Sequence, residues 1–133
     1  MSRLVSTLVG YVRYRGREGH YSFLLHRITG LGTLLFLTIH IFDMAAFYWL
    51  PSFFQEALVL YRTPLFMLGE IALVFCVFFH GANGIRLAVV DMFLPHQWAI
   101  AAQRNAVRWT LIVTLILWVP AALYMGVRII WPG

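Results

Sequence analysis

Three long apolar runs, roughly residues 22–50, 63–92 and 107–130, limit what this chain of 133 residues can fold into. Each exceeds the about 20 helical residues needed to cross a hydrocarbon core. Inside lipid a lone segment must satisfy its own backbone N–H and C=O groups, and of the regular structures only a helix does that within one segment. With 62% hydrophobic and 11% charged residues, the composition lies far from that of a soluble globular domain. The sequence therefore predicts an all-α integral membrane protein of one membrane-anchor domain, residues 1–133. An N-terminal segment, 1–21, leads into three transmembrane helices. The links, Pro51 to Arg62 and Phe93 to Ala106, are short, so neighbouring helices should run antiparallel.

Charge sets the expected orientation. Arg3, Arg13, Arg15, Arg17 and Arg27 precede or open the first run, and Arg86, Arg104 and Arg108 flank the second link, whereas only Arg62 and Arg128 lie toward the other side. The positive-inside rule then places the N-terminus and the second link in the cytoplasm. Trp98 and Trp109 suit that interface, and Tyr48, Trp49 and Trp131 the opposite one. The formal charge of +5 does not read as a nucleic-acid groove, because the arginines punctuate apolar runs instead of gathering on a solvated face. Residues 1–20 hold four arginines and only a short apolar stretch, Leu4 to Tyr11, so no cleavable signal is expected. Cys76 has no disulfide partner in the chain. Pro120 is expected to kink the third helix.

A helix that merely anchors has no need of ionisable groups at depth. In steps of four and three residues, Ser22, His26, Thr29, Thr33, Phe36, His40 and Asp43 fall on one face of the first helix. One reading is a packing seam in which Ser and Thr bond back to their own helix, and for those residues taken singly it is the stronger. Two histidines and an aspartate on the same face favour a cofactor or redox site instead. Gly30 and Gly32 allow a neighbouring helix or a flat ligand to come close. His26 and Arg27 suit an anionic group at the cytoplasmic end. His40 lies about 21 Å further along, with Asp43 placed to orient its imidazole.

In the second helix, His80 lies about 16 Å from Asp91 along the axis, well inside the hydrocarbon. Gly84, one turn away, leaves room beside it for a planar macrocycle. Axial ligation of iron is one reading of His80; a histidine hydrogen-bonded across a helix interface is the other, and spacing alone leaves both open. The absence of CxxCH excludes covalent haem attachment. Glu70 is expected near the outer side, as a snorkelling or paired carboxylate or as part of a proton path.

Two stretches carry a family resemblance. Ser22-Phe23-Leu24-Leu25-His26-Arg27-Ile28-Thr29-Gly30 and the run from His80-Gly81-Ala82-Asn83-Gly84-Ile85-Arg86 to Asp91 resemble the two signatures of the cytochrome b membrane-anchor subunit of succinate dehydrogenase. The lead-in from Tyr14 to Tyr21 is similar to the bacterial branch. Two motifs in the right order are more specific than either alone. Departures exist: Ser22 stands four residues before the histidine where the family often has three, and Leu87 follows Gly-Ile-Arg where a histidine is common.

The resemblance implies one of two small anchor subunits of succinate:quinone oxidoreductase, respiratory complex II. These act with an iron-sulfur subunit and a flavoprotein subunit in a bacterial inner membrane. The fold it implies is half of a haem-binding helical bundle. This chain would not be catalytic alone; it would help pass electrons from succinate to quinone, ubiquinone or menaquinone, linking the tricarboxylic acid cycle to the respiratory chain. By resemblance, His80 is the axial ligand of haem b, the second ligand coming from the partner anchor. His26, Arg27 and Arg86 lie where haem propionates are held, and Ser22, Arg27 and Asp91 match the quinone pocket. His40, outside both signatures, is a possible second metal ligand. Two rival readings are the cytochrome b subunit of another respiratory dehydrogenase and a membrane scaffold without redox chemistry.

Overall fold

The computed structural model describes residues 5–7, 9–10, 18–94 and 100–131. From Glu18 onward the described residues form, in order, α1 (Glu18–Trp49), α2 (Pro51–Tyr61), α3 (Pro64–Phe93) and α4 (Ile100–Ile130). Three of them, α1, α3 and α4, are long and apolar enough to cross a membrane, and no strand occurs among the described residues. The spans predicted from hydropathy thus coincide with helices, and each helix extends beyond or close to the bounds that its apolar run set. His96 and Trp98, placed in the second link, lie outside the described residues.

The first link is not a plain loop. Residues 51–61 form α2, opened by Pro51 at its first turn, where a missing N–H costs nothing. Phe54 from α2 meets Phe47 of α1 edge to face, ring centres 5.4 Å apart. The chain turns again at Arg62 and Thr63, and Pro64 opens α3 as Pro51 opens α2. The two prolines act as helix starts on either side of a tight reversal, so α1 and α3 come back antiparallel. Pro120 lies within α4, which continues through it to Ile130.

Helix α3 packs extensively against both α1 and α4, which meet each other less. The interior is small and largely polar: among the described residues the largest fully buried side chains are Phe79, Asn83, Thr29 and Thr114. That inversion of a soluble core is expected in lipid. Apolar side chains gain little by leaving acyl chains, so close packing and interhelical hydrogen bonds hold the seams. Thr29 donates its hydroxyl to the Leu25 carbonyl and Thr33 to that of Thr29. Thr110 and Thr114 do the same along α4, with the carbonyls of Ala106 and Thr110. A hydroxyl satisfied within its own helix leaves only a methyl for the neighbour to pack on. The Trp118 indole N–H reaches across to the Ile71 carbonyl at 2.9 Å and ties α4 to α3. Outward, Leu31, Phe42, Trp49, Leu65 and Trp131 are largely exposed, a surface fit for lipid or another apolar helix.

Candidate functional site

Glycines bring α1 and α3 together at the centre of their seam. A Cβ built on Gly32 would fall 2.6 Å from the Cys76 sulfur, and one on Gly30 would fall 2.9 Å from His80 Cε1. Only hydrogen fits at either place. The approach anticipated at Gly30 and Gly32 is therefore made by the neighbouring helix itself. His80 lies flat in the space so created. Its ring stacks on that of His26, centroids 4.1 Å apart and planes 5° from parallel.

His80 Nδ1 lies 3.1 Å from the backbone carbonyl oxygen of His26. A carbonyl can only accept, so the proton of the neutral imidazole resides on Nδ1 and the lone pair on Nε2. Of the two readings that spacing left open, the bond across the interface is present, and it engages just one of the two ring nitrogens. Nε2 has no hydrogen-bond partner among the described residues. His26 contributes its carbonyl and its ring face, while its own Nδ1 is buried and has no partner among the described residues. Gly84 faces His26, whose Cε1 would lie 3.9 Å from an added Cβ, an ordinary contact.

One turn toward the start of α1, Ser22 donates its hydroxyl to the Asn83 side-chain oxygen at 3.1 Å. Both residues are buried, 4% and 1% exposed. Ser22 also borders a cavity of about 250 Å³ with Glu18, Tyr21, Phe79 and Arg108. Glu18 pairs there with Arg108, joining the start of α1 to α4, and its second carboxylate oxygen is buried with no partner among the described residues. Arg27 lies on the exposed side of α1, its guanidinium 5.4 Å from the centre of the Phe23 ring. Arg86 turns toward α4 instead. Its Nη1 donates to the Gln103 side-chain oxygen at 3.1 Å, and its Nε is buried with no partner among the described residues. Asp91 is exposed two residues before the end of α3. Ser22, Arg27 and Asp91 thus share one end of the bundle, with no hydrogen bond or ion pair joining them to one another among the described residues.

His40 belongs to the other end. Ten residues separate it from Gly30, against which His80 lies, so about 15 Å of helical rise divides the two imidazoles. It stacks on Phe36 and lines a second cavity of about 440 Å³ with Asp43, Tyr61, Phe66 and Glu70. Tyr61, at the end of α2, donates its hydroxyl to Asp43 at 3.0 Å. Burial first, then that carboxylate, pushes the Tyr61 phenol above its ordinary value. Asp43, a candidate to orient His40, accepts from Tyr61 through Oδ1. No three-ligand cluster of His, Cys, Asp or Glu occurs among the described residues.

Sequence reasoning identified His26 and His80 but not the carbonyl that joins them, since a backbone acceptor leaves no trace in residue type. Asn83 was visible only as part of a motif. Its 61-residue separation from Ser22 hides the pairing until the register of α1 on α3 is known.

Comparison with known proteins covers most of the chain, these two helices included. Residues 10–123 match the family described as succinate dehydrogenase/fumarate reductase transmembrane subunit. The succinate dehydrogenase 2 membrane subunit SdhC of Mycobacterium tuberculosis (strain ATCC 25618 / H37Rv) is 34% identical over 117 residues, covering 86% of this chain and 82% of that protein. A histidine pair locked across a glycine-lined helix seam thus lies within a match that spans most of the molecule, and the chain belongs to the transmembrane subunits of succinate dehydrogenase and fumarate reductase.

Proposed function

We propose that this chain provides one of the two axial ligands of a haem b held jointly with a second small anchor subunit, and helps form the quinone-reduction site of the complex. The observation that carries the reading is the bond from His80 Nδ1 to the His26 carbonyl, which leaves the remaining lone pair on Nε2. Metal-bound histidines commonly donate the other ring N–H in this way. The local structure fits the group in two further respects. Among the described residues His26 Nδ1 and Arg86 Nε are buried and without partners, so polar atoms remain for an anionic substituent such as a propionate. Arg27, one residue on from His26, adds a second cation to the same end of α1. Haem supplies a one-electron reservoir when bound.

The quinone site belongs, on this reading, at the end where Ser22, Arg27 and Asp91 gather, with the N-terminus in the cytoplasm of a bacterial inner membrane. A quinone takes up two electrons and two protons in becoming a quinol. Arg27 is suited to donate hydrogen bonds to a ring oxygen, and Asp91, exposed close to the end of α3, to exchange protons with water. Ser22, whose hydroxyl is held by Asn83, would shape the neighbouring wall. The electrons would arrive from a flavoprotein subunit that oxidises succinate, through an iron-sulfur subunit. His40 remains a candidate ligand for a second, separate metal group, and the ratio of haem to flavin distinguishes one haem from two.

The test is His80→Ala in the intact complex. Haem per flavin should fall to well under half of the wild-type ratio, while flavin-dependent succinate oxidation by an artificial acceptor persists. Unchanged haem content would remove His80 from the site. Arg27→Ala should reduce quinone reduction about tenfold or more, a loss of about 1.4 kcal/mol in transition-state stabilisation, and leave the artificial-acceptor rate in place. Equal loss of both rates would mean that assembly, not quinone chemistry, had failed.

A further inference from the structure

The α1–α3 seam contains one polar pair to which the haem-ligand reading gives no direct contact. Ser22 and Asn83 bond to each other at 3.1 Å in a place almost closed to solvent. Their positions are informative. Ser22 stands one turn before His26 on α1, and Asn83 one turn after His80 on α3, so in antiparallel helices the two pairs are successive rungs of one ladder. Gly32 against Cys76 forms a later rung.

The His80 bond is sensitive to how those rungs align. Its acceptor is a backbone carbonyl, which is fixed to α1 and cannot swing to follow the imidazole as a side chain would. A slide or rotation of α3 against α1 by a fraction of a turn would part the 3.1 Å contact and shear the rings from their 4.1 Å stack. The Thr hydroxyls of α1 do not prevent such a slide, because they are satisfied within their own helix. Nor does the lipid-facing apolar surface, which packs alike in many registers. A single buried polar pair is a well-attested means of specifying one register among several.

We propose that Asn83, with Ser22, is a positioning pair for the iron ligand: it fixes the register in which the His26 carbonyl holds the Nδ1 proton of His80. This rests on the reading of His80 as a haem ligand. The consequence is electronic as well as steric. A proton held by a carbonyl increases electron donation from Nε2, which favours the oxidised iron and lowers the haem potential. Loosening the register weakens that bond and raises the potential.

The experiment uses the assembled complex in detergent, with Asn83→Leu, Ser22→Ala, Ser22→Thr and the double variant Ser22→Ala/Asn83→Leu. The readouts are the haem midpoint potential and the low-spin electron paramagnetic resonance of the oxidised haem, beside haem-to-flavin ratio and thermal stability. Asn83→Leu and Ser22→Ala should each retain haem, move the potential upward and alter the resonance. Ser22→Thr, which keeps a hydroxyl, should stay at the wild-type values. The double variant should shift no further than Asn83→Leu alone, because each substitution breaks the same bond. Lower stability with an unchanged potential and resonance in Asn83→Leu and Ser22→Ala would overturn the proposal and leave the pair as packing only. Should Asn83→Leu fail to assemble, Ser22→Ala decides on the same two readouts. Haem missing from the wild-type complex, or retained in full by His80→Ala, would instead defeat the ligand reading itself.

Discussion

Gly30→Ala tests the site by adding one methyl where the structure has no space for it. The new carbon would stand 2.9 Å from His80 Cε1 and 3.2 Å from Nδ1, about 0.5 Å inside ordinary van der Waals contact. The imidazole cannot simply swing aside, since His26 stacks on it and its Nδ1 is bonded to the His26 carbonyl. The helices must part or the ring must tilt. Overpacking of this kind costs about 1–3 kcal/mol. Against it stands the intrinsic gain of alanine over glycine in a helix, about 1 kcal/mol. The net effect should be a modest loss of stability together with, on the proposed reading of His80, a marked disturbance of the haem. Gly81→Ala is the matched control. It carries the same helix-forming gain beside the same histidine, but nothing lies within 4 Å of its added carbon. Haem-to-flavin ratio and the reduced-minus-oxidised spectrum of the purified complex, with thermal unfolding followed alongside, provide the assay. Gly30→Ala should lose or broaden the haem bands while Gly81→Ala matches wild type. Identical, native spectra in both would refute the claim that Gly30 is bare in order to seat His80.

Other consequences follow from the opposite end of the bundle and from the α3–α4 seam. The raised Tyr61 value means that the folded protein favours the neutral phenol, so the stability it contributes is present below about pH 10 and is lost as pH rises through the raised value. Asp43→Asn should lower the midpoint of tyrosinate formation assigned to Tyr61 by difference from Tyr61→Phe; no movement would mean that the hydrogen bond has no part in the shift. Trp118→Phe keeps a ring against Phe75 but deletes the donor to the Ile71 carbonyl, and should cost about 0.5–1.5 kcal/mol in unfolding with little change in haem content. Altered haem spectra in that variant would show that the α3–α4 seam also governs His80.

How far the sequence could be read depends on which physical signal each feature leaves. The three spans were legible because hydropathy over twenty or more residues is a bulk property. The stripe on α1 was legible because helical period fixes which residues share a face, and the back-bonded Thr29 and Thr33 match its plain packing reading. The helix over residues 51–61 was missed, since eleven residues between two spans look like a link until Pro51 is taken as a helix start. The buried Thr110 and Thr114 drew no attention because a threonine with a self-satisfied hydroxyl looks the same on a lipid face as at a seam. The engagement of Asp43 with Tyr61 depended on where α2 would end, which no periodicity in α1 records.

A three-helix unit with so little buried surface poses a problem that a four-helix bundle in one chain does not. The histidine it offers is half of an axial pair on the proposed reading, so its ring must already be aimed before the partner and the haem arrive. Side-chain partners would be poor guides, because each adds its own rotamer freedom to be lost on binding. Here the bond comes from a main-chain carbonyl of α1, with the His26 ring and the Gly30 floor closing the space around it, and on the proposal above the Ser22–Asn83 bond, beside the glycine seats, fixes the register of the two helices. The arrangement also accounts for the polarity of the interior. In lipid, apolar contacts scarcely distinguish one register from the next, so on this proposal the residues that define the geometry of the site are Ser22, Asn83 and two bare glycines, and most large apolar side chains, Phe79 apart, are left to face outward.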